Sequence, residues 1–233
     1  MRLEKLTVTL VGPEFPINVG YAARLVKNFG VRKLYLIEPN FDRRVASVYA
    51  AHGADVLEDA EEIDFDALRE RHDLLVGTTA VTAIRRANVN RLSVPPEEMA
   101  GYVSCSKSAS LVFGRDTTGL RNDELARCDL VTSIGTGTSY KTLNVSHSMG
   151  ILLYVLSKSG VERRALPSLG ERDLFAAYAY ELAVVAGLPQ YRAERLRKLA
   201  GRIALRSQLD GKEIGLLVYL LRKAANMISK QTD

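Results

Sequence analysis

Runs of apolar and β-branched residues recur at Leu6 to Val11, Leu34 to Ile37, Asp73 to Thr78, Ser110 to Phe113 and Leu130 to Ile134. Most are separated by helix-like stretches. Short buried strands alternating with helices at this spacing predict a parallel α/β sheet with crossover helices. Ligands of such a sheet bind beyond the C-terminal ends of its strands. Three segments in that position are rich in Gly and Thr and are the candidate ligand loops: Gly77-Thr78-Thr79-Ala80, Gly114 to Gly119, and Gly135 to Thr138. The pattern then changes. A linker at 161–170, carrying Pro167 and Ser168, separates a domain at 1–160 from an all-helical extension at 171–233. Helices are predicted there at about 171 to 186, 191 to 209 and 212 to 229, punctuated by Gly187 with Pro189 and by Asp210 with Gly211.

Composition narrows the class of protein. With 233 residues, 47% hydrophobic and 25% charged, the chain has the make-up of a soluble globular protein. Apolar runs such as Ile151 to Leu156 fall far short of the roughly 20 residues that span a bilayer, so no membrane association is expected. The N-terminal MRLEKLTVTLVG has charges at Arg2, Glu4 and Lys5 and no signal-like apolar region, so a cytoplasmic location is expected. Asn144-Val145-Ser146 matches a glycosylation sequon that would be irrelevant there. Cys105 and Cys128 have no metal-ligand spacing and are expected to be free, buried thiols. His52, His72 and His147 stand apart, and no metal site is expected. The charge is uneven: residues 1–159 carry 19 basic and 19 acidic side chains, and residues 160–233 carry 13 and 8, which accounts for the net +5. A basic C-terminal third points to a polyanionic partner or to a solvated helical face.

Two nucleotide-binding fingerprints fail on inspection. Gly114 and Gly119 have P-loop spacing, but Leu120 and Arg121 follow where Lys and Ser or Thr are needed. Gly135 and Gly137 begin a dinucleotide pattern whose third glycine position holds Tyr140. The segment from Gly12 to Asn28 leaves the first strand and opens a helix. On it Asn18, Tyr21, Arg24 and Asn28 share one polar face, while Val19, Ala22, Val26 and Phe29 face the sheet. In the extension, Arg195, Lys198, Arg202 and Arg206 repeat at three- and four-residue steps opposite Leu196, Leu199 and Ile203, with Tyr191 and Arg192 at the helix start. Such a face either contacts phosphates or is simply solvated.

Three blocks in order, Asn18 with Arg24, Leu111-Val-Phe-Gly-Arg-Asp-Thr-Thr-Gly-Leu-Arg-Asn-Asp-Glu-Leu125, and Ile134 through Tyr140-Lys-Thr-Leu-Asn-Val-Ser146, resemble the motifs of the SPOUT class of RNA methyltransferases. Within that class the resemblance is to the TrmJ-type tRNA ribose 2'-O-methyltransferases, since Gly77-Thr-Thr-Ala80 and the helical extension with Leu196-Arg-Lys-Leu199 also fit. The resemblance implies a parallel sheet with a C-terminal trefoil knot, an S-adenosyl-L-methionine cofactor, a tRNA substrate methylated on the anticodon-loop ribose at position 32, and a homodimer. It implies that the cofactor is held by Thr78, Thr79 and Ala80, by Gly114, and by Ile134, Lys141, Thr142, Leu143 and Asn144. Glycine at 114 would let the backbone approach a ligand closely. Arg24, Thr142, Asn18 and Asn28 would form the catalytic set, with Arg115, Arg195, Lys198, Arg202 and Arg206 contacting RNA.

The implied reaction develops charge on a ribose 2'-oxygen. A guanidinium stays protonated, so Arg24 suits stabilisation of that charge better than proton abstraction. Asp116 is a second candidate for the base. One departure stands out: the family commonly has Ser where this chain has Thr142, whose hydroxyl would orient the ribose or cap a helix. Two other readings share these motifs, a ribose methyltransferase acting on ribosomal RNA and an RNA-binding protein that has lost the reaction.

Overall fold

The computed structural model of the chain describes residues 3–80, 92–159, 166–207 and 209–232, with side chains to residue 229. It contains two compact units, 1–163 and 164–233. Part of the expected linker, residues 161–165, lies outside the described residues.

The first unit is built on six parallel strands. They are β1 (Leu6–Val11), β2 (Lys33–Ile37), β3 (Glu61–Glu62), β4 (Leu74–Thr78), β5 (Ala109–Phe113) and β6 (Leu130–Thr132), and they lie in the order β3-β2-β1-β5-β4-β6. Around them run α1 (Pro16–Asn28), α2 (Arg43–Ala50), α3 (Ala54–Glu58), α4 (Phe65–Arg71), α5 (Pro96–Cys105), α6 (Asn122–Ala126) and α7 (Val145–Lys158). The central strands are buried along their length, with Leu6, Leu34, Leu36, Leu74, Leu75, Leu111 and Phe113 almost wholly enclosed. Each such side chain contributes about 1.5 to 3 kcal/mol by leaving water.

Polar residues inside this core have partners, as burial demands. Thr9 Oγ1 and Ser110 Oγ meet at 2.8 Å between β1 and β5. Thr7 Oγ1 lies 2.9 Å from His72 Nε2, while His72 Nδ1 lies 2.9 Å from the Leu68 carbonyl. Burial pushes the His72 imidazole below its ordinary pKa and keeps it neutral.

Two elements depart from expectation. β3 is a pair of glutamates at the sheet edge, where apolar patterning gives no signal and charge discourages further strand pairing. β6 stops at Thr132, which pairs with Val94, so that Ser133 and Ile134 leave the sheet. The cysteines also differ from each other: Cys128 is buried, but Cys105 is only partly so.

The second unit comprises α8 (Leu169–Val185), α9 (Gln190–Arg206) and α10 (Gly211–Thr232). α8 opens with a reciprocal cap: Glu171 N donates to Ser168 Oγ at 3.3 Å, and Ser168 N donates to Glu171 Oε2 at 2.7 Å. The helices meet through small residues: Ala176, Ala179 and Ala200 form one buried cluster, and Ala204 packs with Ile214 and Val218 in another. The buried face of α9 is therefore Ala193, Ala200, Ala204 and Leu205. Ile203, expected to lie inward, is 48% exposed because alanines set the helix contact and turn position 203 outward. Among the described residues, no helix is long and apolar enough to cross a membrane.

Candidate functional site

A cleft opens beyond the C-terminal ends of β4, β5 and β6; two of the Gly- and Thr-rich loops read from the sequence line it, while Gly135 to Thr138 do not and the residues on either side of them do. Thr78, Thr79 and Ala80 line it after β4, Gly114 to Leu120 after β5, and Ile134 with Lys141, Thr142 and Leu143 after β6. Its apolar lining comes from Phe113, Leu120, Ile134, Leu143, Val145 and Leu152; Thr117, Thr118, Thr132 and Ser148 add hydroxyls. Sequence reasoning missed Leu120, Val145, Ser148 and Leu152. The last three lie at helical spacing on the opening turns of α7, which becomes informative only once that helix is placed beside the loops.

The loops are fixed by hydrogen bonds to the sheet and to one another. Thr79 N donates to the Thr132 carbonyl at 3.1 Å, and Thr78 Oγ1 to the Val112 carbonyl at 3.1 Å. Between β5 and α6 the chain folds back on itself: Gly119 N donates to the Arg115 carbonyl at 2.9 Å, and Arg115 N to the Gly119 carbonyl at 3.3 Å. This closure by itself requires the glycine at 114, which also lines the cleft. A Cβ there would lie 2.1 Å from both the Gly119 carbonyl carbon and the Leu120 nitrogen, a collision with backbone that side-chain movement cannot relieve.

Arg115, read as an RNA contact, turns out to brace this loop. Its Nη1 donates to both Glu124 oxygens at 2.9 and 3.1 Å and its Nη2 to Glu38 at 3.3 Å, with only 16% of the side chain exposed. Glu124 is itself buried and also accepts from Arg121 N at 2.6 Å. A guanidinium committed to two carboxylates is poorly placed to dock a phosphate, and the buried Glu124 has a second cation in Arg121, 3.0 Å away.

Asp116 likewise has a structural post rather than that of a free base. Its Oδ2 accepts from Glu14 N at 3.2 Å and Phe15 N at 3.1 Å, and its Oδ1 from Asn18 Nδ2 at 2.5 Å. α1 has no side-chain cap of its own and starts with Pro16. A carboxylate from a loop some hundred residues away therefore satisfies amides at the helix start, where negative charge is favoured by the peptide dipoles.

Asn18 continues the network, since its Oδ1 accepts from Asn144 Nδ2 at 2.9 Å. Asn144 Oδ1 in turn accepts from Ser146 N at 2.8 Å and caps α7. The cap is thus Asn144, two residues beyond Thr142, and Thr142 is left exposed on the cleft wall. One chain of side-chain hydrogen bonds ties the β5 loop, the start of α1 and the start of α7 together. It also removes Asn18 from the polar face on which the sequence had placed it: the side chain is buried, with both of its amide atoms hydrogen-bonded.

Tyr21, Arg24 and Asn28 remain exposed on α1. The helix is seated against α2 by Gly20, where a Cβ would lie 2.5 Å from the Ala46 carbonyl oxygen and 2.6 Å from the Tyr49 Cβ. Arg24 is not among the residues lining the cleft of its own chain. Several apolar side chains of α1, which carries Arg24, and of α7, which packs against it, are also exposed: Phe15, Ile17 and Tyr21 of the α1 region and Ile151 and Tyr154 of α7, at 39 to 56%. In the helical unit, Arg195, Lys198 and Arg206 are exposed and Arg202 partly so. Tyr191 is 65% exposed, with its hydroxyl accepting from Arg192 Nε at 3.0 Å. Among the described residues, no group of three or more His, Cys, Asp or Glu side chains is arranged to hold a metal.

Comparison with known proteins bears on this architecture. The tRNA (cytidine-2'-O-)-methyltransferase TrmJ of Sulfolobus acidocaldarius is 28% identical over 231 residues, covering 98% of this chain and 97% of its own. The tRNA (cytidine/uridine/adenosine-2'-O-)-methyltransferase TrmJ of Pseudomonas aeruginosa is 26% identical, covering 99% of each chain. Among solved structures, a probable methylase family protein from Haemophilus influenzae superposes with a TM-score of 0.64 at 26% identity, covering 98% of this chain and 99% of its own. The model of the SpoU rRNA Methylase family matches residues 5–154, from β1 into α7. That span takes in every residue of the cleft and the whole hydrogen-bonded network behind it, and the chain belongs to the SpoU rRNA methylase family.

Proposed function

We propose that the protein transfers a methyl group from S-adenosylmethionine to a ribose 2'-hydroxyl of tRNA, at the anticodon-loop nucleotide conventionally numbered 32. The observation that carries this reading is the convergence of three loops on one cleft, in a family of RNA methylases, in a chain matched end to end by tRNA 2'-O-methyltransferases.

The cleft fits the cofactor in kind. The loops at Ala80 and Leu143 bring backbone polar groups to the cleft for an adenosine, and Leu120, Leu143 and Leu152 offer an apolar wall to its ring. Bound there, S-adenosylmethionine supplies a methyl group made electrophilic by its sulfonium. The protein's part is to bring the ribose oxygen into line and to stabilise the negative charge that develops on it. Arg24, permanently cationic and exposed, takes the second task. Thr142, on the cleft wall, presents a hydroxyl to the ribose. Asn18 and Asn144 hold α1 and α7 in register through their mutual hydrogen bond, and Asn28 extends the polar face beyond Arg24.

Because Arg24 lies outside the cleft lining of its own chain, we infer that each complete site joins two copies, with Arg24 of one facing the cleft of the other. The exposed apolar side chains of the packed pair α1 and α7, Ile17, Tyr21, Ile151 and Tyr154, support a homodimer through these helices. The path from β6 to α7, which packs against both α1 and α5, is where the trefoil knot of the SPOUT class would be threaded. The helical unit would hold the tRNA through α9.

Mass spectrometry of nucleosides from unmodified tRNA incubated with the protein and methyl-labelled S-adenosylmethionine tests the reaction. Label is expected in 2'-O-methylcytidine or 2'-O-methyluridine. Label in a base-methylated nucleoside, or only in added ribosomal RNA, would reject the assignment. The α9 face has its own test. Arg195→Ala with Lys198→Ala should lower the slope of log affinity against log salt by about one for each lost phosphate contact, with cofactor binding unchanged. An unaltered slope would leave α9 a solvated helix.

A further inference from the structure

One side chain beside the cleft has no part in the reading so far. Tyr140 directly precedes Lys141, Thr142 and Leu143, which line the cleft, and its ring is 79% exposed. Other tyrosines of the chain are exposed as well, but this one adjoins the loop that lines the cleft, where an aromatic face is available to a substrate. The loop that carries it is braced from within. The Tyr140 carbonyl accepts from Thr138 Oγ1 at 3.0 Å and from Thr136 Oγ1 at 3.4 Å. Four residues further on, Asn144 is tied to α1 through Asn18 and caps α7. The ring is thus carried by a short segment anchored at both ends, with backbone hydrogen bonds that do not depend on the phenol.

We propose that Tyr140 is the platform on which the base of the target nucleotide stacks. The inference rests on the ribose-methylation reading above. A ribose presented to the cleft at Thr142 carries its base one glycosidic bond away, within the reach of a side chain two residues before Thr142 in the same loop. RNA bases drawn out of their stack are held by aromatic faces in this manner. Stacking accepts cytosine and uracil alike, since each offers a π-face. Tyr140 is thus a substrate-positioning residue: it holds the nucleotide while Arg24 and Thr142 act on its ribose.

The experiment uses the full-length protein and a tRNA with the fluorescent base pyrrolocytosine at the target position. With wild type, binding should change the fluorescence as the base stacks on the ring. Tyr140→Ala should abolish that change and raise KM for unmodified tRNA by about tenfold to a hundredfold, the range expected for one lost base–aromatic stack. Tyr140→Phe and Tyr140→Trp should restore both, and calorimetry should find the same cofactor affinity in all four proteins. The platform is overturned if Tyr140→Ala keeps a normal KM and fluorescence change, if Tyr140→Phe is as impaired as Tyr140→Ala, or if the alanine variant loses cofactor binding. A wild-type protein that labels no tRNA overturns the underlying reading. Normal wild-type labelling with an unimpaired Tyr140→Ala overturns the platform alone.

Discussion

Arg24→Ala is expected to lower the rate of methyl transfer by about a hundredfold to a thousandfold, the usual consequence of removing a donor aimed at developing oxyanion charge. Of the other charged residues lining the cleft, Lys141 is a cation beside the cofactor loop, and the two that follow Gly114 are already committed. Asp116 is engaged by Glu14, Phe15 and Asn18, and Arg115 by Glu124 and Glu38. Arg24, in contrast, is exposed on α1 and outside the cleft lining, so its removal should disturb neither the core nor the cofactor loops. Single-turnover kinetics with saturating cofactor reads the rate, and calorimetry with S-adenosylmethionine should give an affinity close to wild type. Near-normal turnover in the variant would remove Arg24 from the mechanism, and lost cofactor affinity would place it in the cleft instead.

Mixing two inactive variants should restore activity, up to a ceiling of roughly a quarter of wild type by the symmetry of a two-fold dimer. The first variant is Arg24→Ala. The second is Thr142→Tyr, chosen because Thr142 is exposed on the cleft wall, where a larger side chain fills the site without entering the core. If a site combines Arg24 of one copy with the cleft of the other, each pure dimer is dead at both sites. A mixed dimer then has one site with both defects and one with neither. Random exchange makes about half the dimers mixed, and half of their sites are intact. Were Arg24 to serve its own chain's cleft, every site in a mixed dimer would carry one defect. Absence of recovery after exchange verified by mass spectrometry would therefore sink the shared site, while leaving methyl transfer itself standing.

What could be read from the sequence was whatever repeats locally or sits on a contiguous motif. The buried strands were legible because enclosure on both faces demands near-continuous apolar runs, and Leu6 to Val11 and Leu34 to Ile37 supply them. β3 was not, because two glutamates at an edge strand bury nothing and so leave no pattern. The loops at Thr78 to Ala80 and Gly114 to Gly119 were legible as Gly- and Thr-rich ends of strands in a parallel sheet, whereas Lys141 to Leu143 came from the family resemblance and the Gly-rich stretch before them, Gly135 to Thr138, stays off the cleft wall. The face of α9 was read half correctly. Its basic residues follow helical spacing, but hydrophobicity pointed to Ile203 where the bundle buries Ala200 and Ala204, since close helix packing selects small side chains and not merely apolar ones.

Only the tertiary structure decided the duties of the polar residues between those motifs. Asp116, Asn18 and Asn144 are spread over more than a hundred positions, yet form one hydrogen-bonded chain. Their residue types alone do not distinguish a catalytic base, a solvated face and a cap. Gly114 was read as a glycine for a ligand, and the loop it closes demands a glycine there in any case. Arg115 looked like a cation for RNA and proved to be the partner of a buried glutamate. The physical reason is the same in each case. Periodicity reports how much of a residue leaves water, which a sequence expresses along a few neighbouring positions. The task of a buried polar group depends on which distant donor or acceptor the fold delivers to it, and that becomes known only when the strands and helices are set side by side.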